Sequence, residues 1–264
     1  MDLQLKSKIA LVTGSTQGIG FAIAKRLLQE QAKVIINGRK QENVDASVEK
    51  LRMEIPGAEI SGIAADFGNA VDITRLIQQL PDVDILINNA GIFEPKAFAD
   101  ISDEDWFRFF EINVLSGIRL SRYLFPKMLA QNWGRIIFIT SESAVNIPDE
   151  MIHYGVTKTA LHGVSRGLAE LTKGSAVTVN TVMPGPTASE GLVKFIKQLS
   201  DAQAITPAEA EENFFKTVRP SSLIQRFEDV GEIANLVAYV SSPLSSGTNG
   251  SSLRVDGGVV KTIL

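Results

Sequence analysis

Seven short runs of apolar, largely β-branched residues recur along the chain, and longer amphipathic stretches separate them. The runs are Ile9–Thr13, Lys33–Asn37, Glu59–Ala64, Val83–Asn88, Arg135–Thr140, Val177–Val182 and Ser251–Val255. Alternation of this kind predicts βαβ units around a parallel sheet. The interval Ile19–Gln31 illustrates the helical part: Ile19, Ala22, Ile23, Ala24 and Leu27 form an apolar stripe near period 3.6. With each crossover right-handed, the chain winds both ways from its first strand and leaves a cleft at the carboxyl ends of the strands. The one long interruption, about residues 186–228 between Pro184 and Asp229, is charged and helical in pattern, and it is expected to form a lid over that cleft.

Composition narrows what such a sheet can do. At 264 residues with 44% hydrophobic content, the chain is long enough for one well-buried domain, 1–264, and short for two. A net charge of −4 without a long basic run argues against a nucleic-acid binder. The absence of cysteine and the presence of only His153 and His162 leave little for a metal centre, so a metal-free mechanism is expected. The segment Met1–Lys8 is polar, and no apolar stretch reaches the ~18 residues of a membrane span, so no membrane partner is expected and a cytoplasmic location is the simplest reading.

Three motifs carry candidate chemistry. Gly14, Ser15, Thr16, Gln17, Gly18, Ile19 and Gly20 follow the first strand and open the first helix, which places glycines where a tight turn and a close approach of backbone to a diphosphate are needed. Glycines at a helix start also serve as plain turn formers; their place after the first strand of a doubly wound pattern favours the nucleotide. At the end of the second strand, Asn37 and Gly38 offer no carboxylate, and Arg39 and Lys40 follow. A guanidinium there suits a 2′-phosphate, so NADP(H) is preferred with NAD(H) possible; the alternative is that both bases merely solvate the loop. Tyr154 and Lys158 stand four apart on one expected helix face, thirteen residues after Ser141, which ends a strong strand. The same spacing recurs at Tyr123 and Lys127, but Phe110 stands thirteen residues before it and Pro126 intervenes, so that pair reads as a packed ring with an exposed amine.

In this order the motifs resemble the short-chain dehydrogenase/reductases, single-domain members of about this length, nearly end to end. Further matching positions are Asp66, the run Asn88-Asn89-Ala90-Gly91, Asn113 and Pro184-Gly185. The resemblance implies an α/β fold with a Rossmann-type doubly wound seven-stranded parallel sheet and helices on both faces. It also implies that Asp66, with Phe67 beside it, meets the adenine; that Asn89, Ala90 and Gly91 pass the adenosine ribose; and that Pro184, Gly185 and Thr187 lie near the nicotinamide amide and diphosphate. Arg254-Val255-Asp256-Gly257-Gly258 looks like the family's closing strand, and a homotetramer or homodimer is implied.

The reaction so implied is hydride exchange between NADP(H) and a small ketone or aldehyde, or the matching secondary alcohol. Oxygen gains negative charge as carbon accepts hydride, and Tyr154 supplies the proton. The ammonium of Lys158 and the oxidised nicotinamide are expected to lower the pKa of the phenol. Ser141 donates a second hydrogen bond, and Asn113, by resemblance, holds a water linking Lys158 to solvent. A 3-oxoacyl-thioester (acyl-carrier-protein) reductase is the alternative substrate reading, and a non-catalytic dinucleotide-sensing regulator is a weaker rival, since it has no use for the converging serine, tyrosine and lysine. Nearby residues take plainer roles: Ser143 caps its loop, His153 lines the entrance or packs locally, His162 lies on the helix surface or at a subunit contact, and Glu142 points outward into solvent. Phe93 is a substrate-contact candidate, and Phe214, Phe215 and Val218 form the apolar face of the lid.

Overall fold

The computed structural model describes residues 1–203 and 205–263. Seven parallel strands form one sheet in the order β3-β2-β1-β4-β5-β6-β7: β1 Ile9–Val12, β2 Lys33–Gly38, β3 Ile60–Ala64, β4 Ile85–Asn88, β5 Gly134–Ile139, β6 Val177–Pro184 and β7 Ser252–Val255. The order reverses beside β1, so the carboxyl ends of β1 and β4 flank the crevice where open α/β sheets bind ligands.

Alternate strand residues face opposite layers, and both layers are apolar. Ala10, Val12, Val34, Ile36, Ile85 and Ile87 face one side, where they pack with Ile23 and Leu27 of α1 (Gly18–Gln29), Val44 and Leu51 of α2 (Gln41–Glu54), and Ile233 and Val237 of α9 (Val230–Ser241). Leu11, Ile35, Leu86, Ile136 and Phe138 face the other side. There they meet Ile73 and Leu76 of α3 (Ala70–Gln79), Leu120 and Leu124 of α5 (Ser116–Ala130), and Leu161 of α6 (Ile152–Glu170). Burial on both faces explains why the central strands β1, β4 and β5 read as largely apolar runs, whereas the edge strands β3 and β7 carry polar residues and are only partly buried. Pro126 lies inside α5 without ending it, and Tyr123 and Lys127 stand on this one helix as expected. Those two side chains meet at the surface, with the lysine amine 3.1 Å from the phenol oxygen.

Before α5, α4 (Asp103–Phe110) starts at a capping box in which Ser102 and Asp105 satisfy each other's backbone N–H groups. Between α4 and α5 the backbone widens into one π turn, Glu111–Leu115, which contains Asn113. The 186–228 interval contains two helices, α7 (Glu190–Gln203) and α8 (Pro207–Thr217), and α8 begins with a Thr206/Glu209 capping box and Pro207 at its first turn. A bridge between Thr187 and Glu228 closes the base of this interval.

The first turn is held by close backbone approach. Gly14 and Gly18 both have φ of +60°, and a Cβ on Gly20 would lie 2.4 Å from the Gly14 carbonyl oxygen and 2.5 Å from Asn89 Nδ2. Because one of those neighbours is backbone, Gly20→Ala is expected to lower stability by about 1–3 kcal/mol and to weaken dinucleotide binding. Urea unfolding and a cofactor titration check this; a variant as stable as the parent contradicts the close approach.

Candidate functional site

The glycine turn is joined to the end of β4 by a dense hydrogen-bond set. Thr13 Oγ1 accepts from the N–H groups of Asn89 and Ala90, each at 2.9 Å, and Asn89 Nδ2 donates to the carbonyls of Thr13 and Gly14 at 2.9 and 3.0 Å. Asn37 also turns inward: its Oδ1 accepts from Gly14 N at 3.2 Å and its Nδ2 donates to Ile63 O at 3.0 Å. The Ser15 hydroxyl is engaged with Val12 O and Asn37 N. The side chains of Asn37 and Ser15 therefore shape the turn from beneath. Thr16 packs against Gly38, Gln17 is exposed, and Ile19 reaches the cavity.

Arg39 lies exposed just past β2, with no hydrogen bond or ion pair to the described residues. Asp66 accepts from Gly68 N at 2.9 Å, which ties down the loop after β3, and Phe67 is buried behind it.

A cavity of about 1150 Å³ opens at the carboxyl ends of the strands. Asn89, Gly91, Ser141, Tyr154, Lys158, Pro184, Gly185 and Thr187 all line it. Ser141, extended at the end of β5, accepts from Ser143 N at 3.1 Å and is hydrogen-bonded to the Tyr154 phenol. Lys158 is one helical turn beyond Tyr154; its amine lies 5.6 Å from the phenol ring centre and donates to Ile139 O at 2.9 Å. A Cβ on Gly91 would lie 3.4 Å from both Lys158 Nζ and Asn113 Oδ1, which places this turn directly beside the lysine and the asparagine.

Asn113 is buried beneath the cavity. Its Oδ1 accepts from Ile92 N at 2.8 Å, and its Nδ2 donates to Ile92 O and Thr157 Oγ1, each at 3.0 Å. Thr157 in turn donates to Tyr154 O, so the π turn is bonded into the helix that carries the tyrosine.

The electrostatics depart from the sequence expectation. Burial pushes the Tyr154 phenol up to about 12, against the lowering effect of the Ser141 hydrogen bond. Burial also brings Lys158 down to about 8. The protein's own groups therefore do not give the part of the fall expected from Lys158, because the lysine is bonded to a backbone carbonyl and desolvation outweighs the nearby charge.

Glu142 is a second correction. It is buried, with Arg219 Nε donating to its Oε1 at 2.9 Å, and burial raises its pKa. Nothing local announced this, since Arg219 stands 77 residues away in sequence. Ser143 is a third correction: Ser141 caps the loop, and the Ser143 hydroxyl donates to Glu142.

His153 packs fully buried against Phe109, 4.0 Å between ring centres, and so is remote from the entrance. His162 meets Ser252 Oγ at 2.8 Å, on the flank of β7. Phe93 lines the cavity with its ring edge-on to Tyr154. Phe214 and Val218 also line it, but Phe215 turns away into a cluster with Phe227, so the apolar face above the cleft is narrower than expected. Ile147, Met151 and Leu192 complete the apolar wall, and periodicity alone could not have assigned them to it.

The described residues contain no group of three or more acidic, histidine or cysteine side chains able to hold a metal, and no helix long and apolar enough to cross a membrane.

Residues 8–199 match the family model described as short chain dehydrogenase. The chain is 49% identical over 263 residues to the uncharacterized oxidoreductase YvaG of Bacillus subtilis (strain 168), covering the whole of both chains. It is 30% identical to the 3-oxoacyl-[acyl-carrier-protein] reductase FabG of Aquifex aeolicus (strain VF5), over 98% of this chain and all of the relative. Among solved structures, L-sorbose reductase from Gluconobacter frateurii, complexed with NADPH and L-sorbose, superposes with a TM-score of 0.94 at 28% identity, covering all of both chains.

The buried lysine has a measurable signature. Its depressed pKa means that between about pH 8 and 10.5 the unfolded chain holds a proton that the folded chain has released, so its contribution makes stability rise with pH through that window. Below about pH 8 the burial cost is fully present. Lys158→Met is therefore expected to be more stable than the parent by on the order of 3 kcal/mol near neutrality, with the gap shrinking toward pH 10.5. Denaturant unfolding at neutral and alkaline pH checks this; a gap independent of pH contradicts it.

Proposed function

Since this chain belongs to the short-chain dehydrogenase/reductase family, we propose that it is an NADP(H)-dependent carbonyl reductase, reducing a ketone or aldehyde and oxidising the matching secondary alcohol in reverse. The observation that carries this reading is the convergence of Ser141, Tyr154 and Lys158 on one cavity wall beside the glycine turn. The cradle fits a dinucleotide: Gly14 and Gly18 take the positive φ of the turn, Gly20 lets the first helix start close against it, and no carboxylate stands at the end of β2 to repel a 2′-phosphate. Gly14 to Gly20, Gly38, Arg39, Asp66, Asn89 to Gly91, Pro184, Gly185 and Thr187 would hold it. When bound, NADPH supplies the hydride that reaches the carbonyl carbon.

The remaining chemistry belongs to the protein. Tyr154 gives its phenolic proton to the carbonyl oxygen as negative charge grows there, and Ser141 donates a second hydrogen bond to the same atom. A phenol held near 12 is fully protonated at neutral pH, which suits the reducing direction. The Lys158 amine, anchored on Ile139 O, sits behind the tyrosine ring and favours the phenolate left by proton transfer. Asn113 fixes the Ile92 backbone and, through Thr157, the start of α6, so it acts by positioning. Helices α7 and α8 cover the cleft as a lid. The similarity to L-sorbose reductase complexed with NADPH supports the cofactor, together with exposed Arg39. The similarity to a 3-oxoacyl-[acyl-carrier-protein] reductase supports a second substrate reading, and a panel of simple ketones and β-ketoacyl thioesters separates the two.

Tyr154→Phe is expected to lower turnover by at least ~100-fold while NADPH binding, read by fluorescence titration, stays near the parent value. Comparable turnover in the variant would remove the tyrosine from its role. Arg39→Asp is expected to shift the ratio of kcat/KM values from NADPH toward NADH by at least ~10-fold, and an unchanged ratio overturns the preference for NADP(H).

A further inference from the structure

Two bases line the cavity among the described residues, Lys158 and Arg219. Arg219 follows α8 and enters the wall from the lid side, more than nine-tenths buried. Its Nε donates to Glu142 Oε1 at 2.9 Å, its Nη1 donates to Val218 O at 3.0 Å, and Glu150 Oε1 stands 3.7 Å from Nη1. Glu142 is itself more than nine-tenths buried, and it directly follows Ser141 in sequence.

The pairing is incomplete in an informative way. A buried arginine and carboxylate tied together for stability favour a two-pronged arrangement that satisfies both oxygens. Here Glu142 Oε2 is buried without a hydrogen-bond partner, and Oε1 is shared by Arg219 and the Ser143 hydroxyl. Nη2 of Arg219 makes no hydrogen bond to the described residues. The carboxylate cancels the charge of the guanidinium without closing its fork. Asp149 and Glu150 add further negative charge to the same wall. A substrate that brought its own carboxylate or phosphate would meet a masked cation and three acids in the wall around it.

We propose that Glu142 is a specificity-determining residue that masks Arg219 and so selects uncharged carbonyl compounds over anionic keto acids. This rests on the carbonyl-reductase reading of the same cavity. An unmasked unit charge ~6–8 Å from a ligand charge, at an effective dielectric near 20, changes affinity on the order of tenfold to a hundredfold. The pair would then act on the sign of the ligand, whereas a purely structural tie between the lid and the Ser141 loop would affect charged and neutral ligands alike.

The test uses a matched pair of ligands, 4-oxopentanoate and its methyl ester, with the NADP(H)-loaded protein. Titration calorimetry with NADP⁺ gives the two affinities, and NADPH oxidation gives the two kcat/KM values. The parent is expected to favour the ester by at least ~10-fold, and Glu142→Gln is expected to move the ratio toward the acid by at least ~10-fold. Adding Arg219→Met to that variant is expected to cancel the shift. Glu150→Gln, at a more exposed position, is expected to shift the ratio the same way by about threefold, and it keeps the idea open to refutation if the buried variant folds poorly. A ratio in Glu142→Gln within twofold of the parent overturns the proposal, as does a shift that survives Arg219→Met or an acid that does not bind Glu142→Gln. If the affinity ratio shifts as expected while no variant, nor the parent, consumes NADPH, the masking stands and the reductase reading falls. If NADPH is consumed and the ratio stays fixed, only the masking falls.

Discussion

Thr13 and Asn89 hold together the floor on which the rest of the site is built. They sit at the carboxyl ends of neighbouring strands β1 and β4, and each satisfies backbone groups of the other's loop. Parallel strands leave their final N–H and C=O groups without ladder partners, and at a crevice those groups must be paired or face water. Here they are paired across the strand boundary, so the glycine turn and the Asn89-Ala90-Gly91 turn form one rigid edge. The backbone of Gly20 can then approach Gly14 closely, and Asn37 completes the set from the other side of β1.

The wall that carries Ser141, Tyr154 and Lys158 is built on a different balance, between burial and a few fixed dipoles. Tyr154 and Lys158 share one face of α6, where desolvation raises the one and lowers the other. Each shift favours the uncharged form, because burial penalises charge on either group. Ser141 and the Ile139 carbonyl set the geometry around the pair, and Asn113 holds the adjoining loop. The cavity is largely apolar above this wall, and besides Lys158 its ionisable side chains are Glu142, Asp149, Glu150 and Arg219.

Much of this was legible in the sequence, and the exceptions have a common cause. Strands buried on both faces announce themselves as continuous apolar runs, so β1 begins at the expected residue and ends within one residue of the expected position; the edge strand β7, Ser-Leu-Arg-Val and only partly buried, also lies within one residue of its expected start. The glycines after β1 and the Tyr154–Lys158 pair are local signals, readable because strand and helix periods are local. What escaped was long-range. Glu142 looked like a surface acid because its partner arrives from the segment after α8, far along the chain, and Phe215 looked like a lid residue because its orientation depends on Phe227. The inward engagement of Asn37 and Ser15 was hidden for the same reason, since the neighbouring strand supplies their partners. The effect of Lys158 on Tyr154 was overstated because depth of burial is a property of the assembled fold.

The π turn at Glu111–Leu115 has a further consequence. It accommodates one residue more than a regular helix of the same rise, and Asn113 lies within that surplus. This stretch is therefore one residue longer than the winding from α4 into α5 requires: removing that residue would restore ideal winding with α5 still in phase, and would take away the widened turn from which the asparagine reaches Ile92. The irregularity is a counted feature of the chain, as specific as any side chain in the cleft.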